Sequence, residues 1–187
     1  MFGKIKILLY LIYTKLKTNG IKKIGNKVIV VPPLTLLGKD KITIGNSCYF
    51  GPGCRIEAWK KYNEKSYDPI IEIGEDVRIN STCHIGAINK VIIGKQTLLG
   101  SHVMIVDHSH GNNSIEEMSI HPSERDLYSK GPIIIGERCW ICENVTILPN
   151  VTIGDECVIG ANSVVTKDLP NRCVIAGNPA KIVRRIE

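Results

Sequence analysis

The chain has 187 residues, 43% of them hydrophobic and 22% charged, and this composition indicates one soluble domain with a core of its own. Its net charge of +6 does not lie in one stripe interleaved with aromatic residues, which argues against a nucleic-acid-binding protein. The seven cysteines are an odd number, which argues against a disulfide framework and favours a reducing, cytoplasmic setting, and no apolar run is long enough to span a bilayer.

The N-terminal segment is predicted to be a short amphipathic helix. We assign residues 1–27 to a helical cap that covers the open end of the β structure that follows, whose strand edges would otherwise stay unpaired. A contact between residues 1–19 and an anionic bilayer surface is the alternative interpretation, and the two are compatible. The apolar positions at helical spacing are Ile5, Leu8, Leu9, Ile12 and Leu16.

A six-residue period organises residues 28–187 and predicts a parallel β-helix. Each unit forms a short strand and a corner, three units form one triangular coil, and successive coils stack through parallel hydrogen bonds. The residue after each large apolar position is often glycine, and we expect it to turn the corner with a positive φ. The large apolar position recurs at Ile44, Phe50, Ile56, Ile73, Ile79, Ile85, Ile93, Leu99, Ile105, Ile135, Ile141, Ile147, Ile153, Ile159 and Val165.

A second inward position follows four residues after each large apolar residue and accommodates only small side chains. Five of the seven cysteines occupy it, so we interpret them as small buried hydrophobic residues rather than nucleophiles or metal ligands. They are Cys48, Cys54, Cys83, Cys139 and Cys157.

Two segments interrupt the period, at residues 57–70 and at residues 107–132. Insertions in a solenoid lie at its corners and often gather on a functional face. The fold class is therefore predicted to be all-β, with a short N-terminal helix, one long extruded loop at 107–132 and a C-terminal tail at 170–187. The long loop is the place where chemistry is expected.

The run from Gly131 onward resembles the hexapeptide-repeat acyltransferases, most closely the branch of sugar, maltose, galactoside and polysaccharide O-acetyltransferases. The matching text is GPIIIGERCWICENVTILPNVTIGDECVIGANSVVTKDLP, followed by AGNPAKIVRRIE, and the resemblance extends over residues 40–187. It implies a left-handed β-helix and a homotrimer with active sites between subunits. The N-terminal sugar-binding module of the galactoside and maltose enzymes has no counterpart here, so a free disaccharide is not the expected acceptor.

The resemblance implies that His108, in the VDHSHG run, is the catalytic base. An imidazole titrates near neutral pH and can accept the proton of an acceptor hydroxyl, which is otherwise a poor nucleophile. His110 is its rival as the base, with substrate binding as the alternative role for His110, and whether Asp107 orients an imidazole is left open. Asn80 matches an acceptor-contacting position of the family. It also occupies a corner position, where a positive φ is the structural alternative.

Acetyl-CoA is the co-substrate that the resemblance implies, without a metal. The matching positions are an aromatic residue along CoA, a small residue beside the pantetheine arm, the TK pair of the VTKD run, and two cations near the CoA phosphates. They are Trp140, Ala161, Thr166, Lys167, Lys181 and Arg184.

The function implied is acetyl transfer to a sugar hydroxyl in surface polysaccharide biosynthesis, by direct attack with His108 as general base. An N-acetyltransferase acting on an amino sugar linked to a nucleotide is the alternative on the same scaffold. A zinc enzyme similar to the γ-type carbonic anhydrases is a second alternative, invited by the two histidines of the DHSH run. A non-enzymatic β-helical scaffold is the third.

Overall fold

The computed structural model describes residues 2–187 and begins with an α-helix, α1 (Phe2–Lys17). A 3₁₀ turn lies at Lys39–Lys41, a short helix α2 at Ile115–Met118 and a second 3₁₀ turn at Pro122–Glu124. In chain order the strands are β1 (Lys23–Ile24), β2 (Ile29–Val30), β3 (Leu34–Leu37), β4 (Ile42–Ile44), β5 (Tyr49–Phe50), β6 (Cys54–Ala58), β7 (Lys61–Tyr62), β8 (Lys65–Ser66), β9 (Ile70–Ile73), β10 (Arg78–Ile79), β11 (His84–Ala87), β12 (Lys90–Ile93), β13 (Leu98–Leu99), β14 (Met104–Val106), β15 (Ser109–His110), β16 (Leu127–Tyr128), β17 (Ile133–Ile135), β18 (Trp140–Ile141), β19 (Thr146–Ile147), β20 (Val151–Ile153), β21 (Val158–Ile159), β22 (Val164–Val165), β23 (Cys173–Gly177) and β24 (Ala180–Arg185).

Three sheets form the sides of a triangular prism, and within each of them the strands come from successive coils. The first sheet has the order β1-β4-β9-β12-β17-β20, and the third has the order β3-β6-β11-β14-β19-β22. The second sheet runs β2-β5-β10-β13-β18-β21-β23-β24, and every pairing in it is parallel except that of β23 with β24. The left-handed parallel β-helix predicted from the sequence is confirmed.

The core is a set of stacked aliphatic columns along the prism axis. Ile73 pairs in register with Ile93, which pairs with Ile135, which pairs with Ile153, and none of the four is more than 2% exposed. All fifteen large apolar positions of the period are buried. Since a fully buried aliphatic side chain contributes about 1.5–3 kcal/mol, these columns are the main source of stability of the scaffold.

The corners differ from the expectation in one respect. The glycines that follow the large apolar residues, such as Gly45 and Gly74, do not have a positive φ. They are required because a Cβ at Gly45 would lie 2.6 Å from the backbone nitrogen of Glu75 in the next coil. The positive φ falls two residues later, for instance at Ser47 (59°) and Asp76 (51°). The expected role of glycine in the turn was therefore wrong, and close stacking of coils is the actual reason for it.

The cysteine column lies inside the prism, as predicted. Thiols donate to carbonyl oxygens of the neighbouring coil, with the Cys83 Sγ lying 3.0 Å from the Gly100 oxygen. Cys173, which was not placed in the column, is also fully buried. Cys139 and Cys142 have a C-x-x-C spacing that the sequence interpretation overlooked. Both are free thiols, with Cys139 in the core and Cys142 half-buried.

The N-terminal helix lies against the first coil. Thr14 Oγ1 accepts a hydrogen bond of 2.9 Å from the Val30 N–H, and the Tyr13 hydroxyl accepts one of 3.0 Å from the Leu34 N–H. These two side chains satisfy backbone donors at the open edge of the stack, where no further coil supplies carbonyls. Within residues 2–187, no helix has the length and apolar character that crossing a bilayer requires.

Candidate active site

A buried carboxylate orients the predicted catalytic histidine. Asp107 follows β14, is fully buried, and accepts backbone N–H groups from Ile88, Asn89 and Lys90 at 2.9, 2.9 and 2.7 Å. Its Oδ1 lies 3.0 Å from Nδ1 of His108. Because Nδ1 donates to this carboxylate, the proton of a neutral imidazole stays on Nδ1 and the lone pair lies on Nε2. The orientation of His108 by Asp107, left open above, is thereby observed.

A second imidazole, which the sequence interpretation did not single out, lies beside the first. His84 begins β11, and its Nε2 lies 3.2 Å from Oε2 of Glu57, whose side chain is only 7% exposed. Arg55 holds the same carboxylate at two points, at 3.1 and 2.8 Å. Burial, and then the positive charge of Arg55, lower the pKa of His84, while Glu57 acts in the opposite direction. The ring is thus held neutral at neutral pH, and it donates to Glu57.

The two imidazoles meet across Gly86. A Cβ at this residue would lie 3.3 Å from Cε1 of His108 and 3.4 Å from Nε2 of His84. Gly86 pairs in register with Glu57 of the preceding coil and with Val106 of the following coil. A glycine at this point keeps the space between the two rings free of side chains.

Both histidines open onto a cavity of about 640 Å³. Ser109 and His110 line the same end as the imidazoles. The wall formed by β14, β19 and the residues after β19 is apolar, and Tyr128 and Lys130 of the extruded loop also line the cavity. Thr166 lies at the far end. The apolar residues of the wall are Met104, Val106, Ile147, Leu148 and Pro149.

The segment at residues 57–70 packs against the extruded loop at residues 107–132 and supports it. Strands β7 and β8 form a hairpin, and the segment around it packs on the extruded loop, in which β15 pairs with β16. The Tyr62 hydroxyl donates to the Ser123 carbonyl, and the Tyr67 hydroxyl donates to the Leu127 carbonyl, both at 2.9 Å. The Tyr62 ring also lies edge-on to the His110 ring, with 5.3 Å between the centroids. The hairpin therefore fixes the position of His110 at the cavity.

The other predicted residues do not all lie at the cavity of His108. Thr166 shares the cavity of His108, and Lys167 follows it on the surface. Asn80, Trp140 and Ala161 instead line a separate cavity of about 390 Å³, together with Cys142 and Glu143. This second cavity lies between the second and third sheets, and it shares no lining residue with the first.

Two details change the interpretation of individual residues. Asn80 has no positive φ, so the conformational reason suggested for an asparagine at this corner was wrong. Lys181 and Arg184 lie on the outermost strand, β24, and are exposed. Two other histidines make contacts within turns of the chain. His102 Nδ1 lies 3.2 Å from the Thr82 hydroxyl at a corner, and His121 accepts the Ser123 N–H at the start of a 3₁₀ turn.

A sequence signal for His84 and Glu57 does exist. Ile85 pairs with Ile105, twenty residues later, and with Ile56, twenty-nine residues earlier, because the coil between Ile56 and Ile85 contains the interruption at residues 57–70. Counting one coil back from residues 104–108 reaches His84 and Gly86, and a second coil back reaches Arg55 and Glu57. Among residues 2–187, no group of three histidine, cysteine, aspartate or glutamate side chains is arranged to hold a metal ion.

Comparison with known proteins shows that the chain is similar in sequence to acetyltransferases. Residues 132–167 match the family model described as bacterial transferase hexapeptide (six repeats). The chain is 37% identical over 157 residues to the putative lipopolysaccharide biosynthesis O-acetyl transferase WbbJ of Escherichia coli, covering 82% of this chain and 76% of that protein. It is 30% identical over 166 residues to the putative colanic acid biosynthesis acetyltransferase WcaF of Escherichia coli, covering 88% and 70%.

A solved structure shares the fold. The N-acyltransferase AntD of Bacillus cereus, in complex with dTDP and 3-hydroxybutyryl-CoA, superposes with a TM-score of 0.76 at 18% identity. The match covers 94% of this chain and 88% of that one. At this level of identity the likeness concerns the architecture.

Proposed function

This chain belongs to the bacterial hexapeptide-repeat acetyltransferases, and from that premise we propose that it transfers acetyl groups from acetyl-CoA to a sugar hydroxyl in surface polysaccharide biosynthesis. The observation that carries the proposal is the Asp107–His108 pair, whose ring has its proton directed to the carboxylate and its free Nε2 at a cavity. Two relatives named for polysaccharide biosynthesis support the substrate class.

His108 is the general base in this proposal. Its Nε2 accepts the proton of the acceptor hydroxyl as the oxygen attacks the thioester carbonyl, and His108 then returns that proton to the sulfur of the leaving CoA. The bond formed joins the sugar oxygen to the acetyl carbon, and the bond broken is the carbon–sulfur bond. Asp107 keeps the ring in the reactive tautomer and stabilises the imidazolium that forms.

We assign His84 and Glu57 to positioning of the acceptor. A neutral imidazole that is anchored by a nearly buried carboxylate offers a fixed polar group beside the base. Side chains held by such contacts lose little entropy when substrate binds, so they orient the attacking oxygen effectively. His110, held by Tyr62 at the rim of the same cavity, is assigned to the acceptor as well.

The cavity suits the donor. Acetyl-CoA supplies an activated acetyl group on a long, flexible arm, and the apolar wall from Met104 to Pro149 leads away from the two histidines toward Thr166. Lys130 within the cavity is a cation available to a CoA phosphate, as are Lys167, Lys181 and Arg184 at the C-terminal end of the prism.

We propose a homotrimer with active sites between subunits. Asn80, Trp140 and Ala161 line a cavity separate from that of His108, so one chain alone does not join the two groups. Trp140 is 52% exposed, which is a large apolar surface for an isolated protein and suits a groove shared with a neighbouring subunit. The seven free cysteines favour the cytoplasm as the location.

The test is the release of CoA from acetyl-CoA, measured with sugars, lipid-linked glycans, nucleotide sugars and nucleotide-linked amino sugars as acceptors. We expect turnover with a hydroxyl acceptor and expect His108→Ala to lower it by about 10²–10⁴-fold. His121→Ala is the matched control, since it removes an exposed histidine of the same loop. Near-normal turnover by His108→Ala would remove that residue from the mechanism, and absence of CoA binding by calorimetry would favour an inert scaffold.

A further inference from the structure

One face of α1 is apolar and turned away from the β-helix. Tyr13, Thr14 and Thr18 are directed at the first coil, where they are buried or half-buried. The apolar side chains on the opposite side are 49–72% exposed, and Ile7 (54%) and Leu11 (43%), on the side of Thr14, are exposed as well. This exposed apolar face consists of Ile5, Leu8, Leu9, Ile12 and Leu16.

Lysines border this face on both sides. At about 100° per residue, Lys15 projects next to Leu8 at one edge, while Lys6 and Lys17 project beyond Leu9 at the other. A lysine at the edge of an apolar face can keep its ammonium group in the headgroup region while its methylene stem follows the acyl chains. The arrangement is that of a helix lying in the plane of a bilayer surface.

The positive charge of the chain is concentrated in the part that contains α1. Residues 1–39 contain eight lysines and neither aspartate nor glutamate, whereas residues 40–187 contain sixteen lysines and arginines against eighteen acidic residues. The whole positive excess therefore belongs to the helix and the first coil. A second copy of this helix would bring like charges together, whereas anionic lipid complements them.

From this face and its charge we propose that α1 docks the protein on an anionic phospholipid surface, with the apolar face in the interface and the lysines of residues 1–39 on the headgroups. The proposal does not depend on acetyl transfer. It gives the enzyme a location beside membrane-linked acceptors, and vesicle binding is measured without any substrate, so either idea can fail alone.

The experiment is co-flotation of the full chain with vesicles of phosphatidylcholine alone and of a roughly three-to-one mixture with phosphatidylglycerol. We expect binding only to the mixture, weakened when salt is raised because screening reduces the lipid attraction. Leu9→Ser/Leu16→Ser should reduce binding at least about tenfold, and Lys6→Gln/Lys15→Gln should reduce it and its salt dependence. The controls are Ile115→Ser and Lys61→Gln, which make similar changes at exposed positions away from the helix.

The mass of each variant in solution tests whether a second copy of the chain, rather than lipid, covers the apolar face of α1. Leu9→Ser/Leu16→Ser changes only exposed side chains, so we expect an unchanged assembly mass and thermal midpoint. A smaller assembly for this variant would show that the face joins copies of the chain and would overturn the proposal. Failure of the wild-type protein to float with anionic vesicles would overturn it as well.

Discussion

The carboxylate of Asp107 and the imidazole of His108 are adjacent in sequence, yet they face each other with 3.0 Å between Oδ1 and Nδ1. The geometry arises because Asp107 is drawn under the turn at residues 88–90, where three backbone N–H groups converge on its oxygens. The same carboxylate therefore closes a turn of the scaffold and sets the tautomer of the proposed base.

Asp107→Asn should impair both roles. An amide cannot accept all of the backbone donors, and its NH₂ group would meet one of them or the His108 Nδ1–H. We expect turnover to fall by at least about 10²-fold and the free energy of unfolding to fall by about 1–3 kcal/mol, the cost of one unsatisfied buried group. Steady-state kinetics and thermal melts check this. Asp155→Asn, which alters a carboxylate that accepts only the Glu137 N–H at a distant corner, should leave turnover intact.

Glu57→Gln tests the second imidazole. The amide keeps the shape of the side chain but removes the charge that holds Arg55 and His84. We expect kcat/KM for the acceptor to fall by about tenfold, equivalent to about 1.4 kcal/mol, while the KM for acetyl-CoA changes little. The control is Glu72→Gln, which changes an exposed, outward-facing residue of β9 in the first sheet. An equal loss for both substrates would instead indicate general disruption of the site.

Gly86→Ala probes the space between the rings. The new methyl group would stand within 3.4 Å of both imidazoles, so the rings must shift or the acceptor loses room. We expect at least about a tenfold loss of turnover with the fold retained, because a misplacement on the ångström scale is enough for such a loss. Gly160→Ala is matched in tightness, since its Cβ would lie 3.2 Å from the Ala176 side chain, but it lies away from the histidines. Similar activity losses in both variants would contradict the assignment.

The scaffold could be predicted from the sequence because each of its rules is local. A large aliphatic residue every six positions defines an inward column, and the break at residues 107–132 exposes the one long loop, with His108 at its start. Physical reasoning about one coil thus extends to all of them. The corner glycines show where local reasoning failed, because their role depends on the backbone of the next coil and not on their own dihedral angles.

The partners of His108 depend on stacking between coils. Glu57, His84 and His108 are separated by 27 and 24 residues, and only the register of β6, β11 and β14 places them together. The coil between β6 and β11 contains the first interruption of the period. The sequence placed the start of this interruption at residue 57, but β6 continues through Ala58, so the interruption begins later in the structure. A motif in the extruded loop therefore identifies His108 as the base but does not identify Glu57 and His84, which belong to the two preceding coils.

The pH dependence of stability should carry the signature of His84. Its pKa in the folded protein is lowered from the ordinary value of 6.5, mainly by burial and then by Arg55. Below pH 6.5 the unfolded chain binds a proton that the folded chain does not, so the free energy of unfolding falls as the pH decreases from 6.5 through the folded pKa. Above that window, His84 contributes no slope.

Thermal melts of the wild type and of His84→Gln at a series of pH values measure this contribution. We expect the wild-type midpoint to decrease more steeply than that of the variant below about pH 6.5, and the two curves to run parallel above it. His121→Gln, which removes an exposed histidine of the extruded loop, is the control, and a change of slope shared by both variants would count against His84. A wild-type midpoint that rises as the pH falls through this window would reverse the sign of the argument, because it would mean that folding raises the affinity of His84 for its proton.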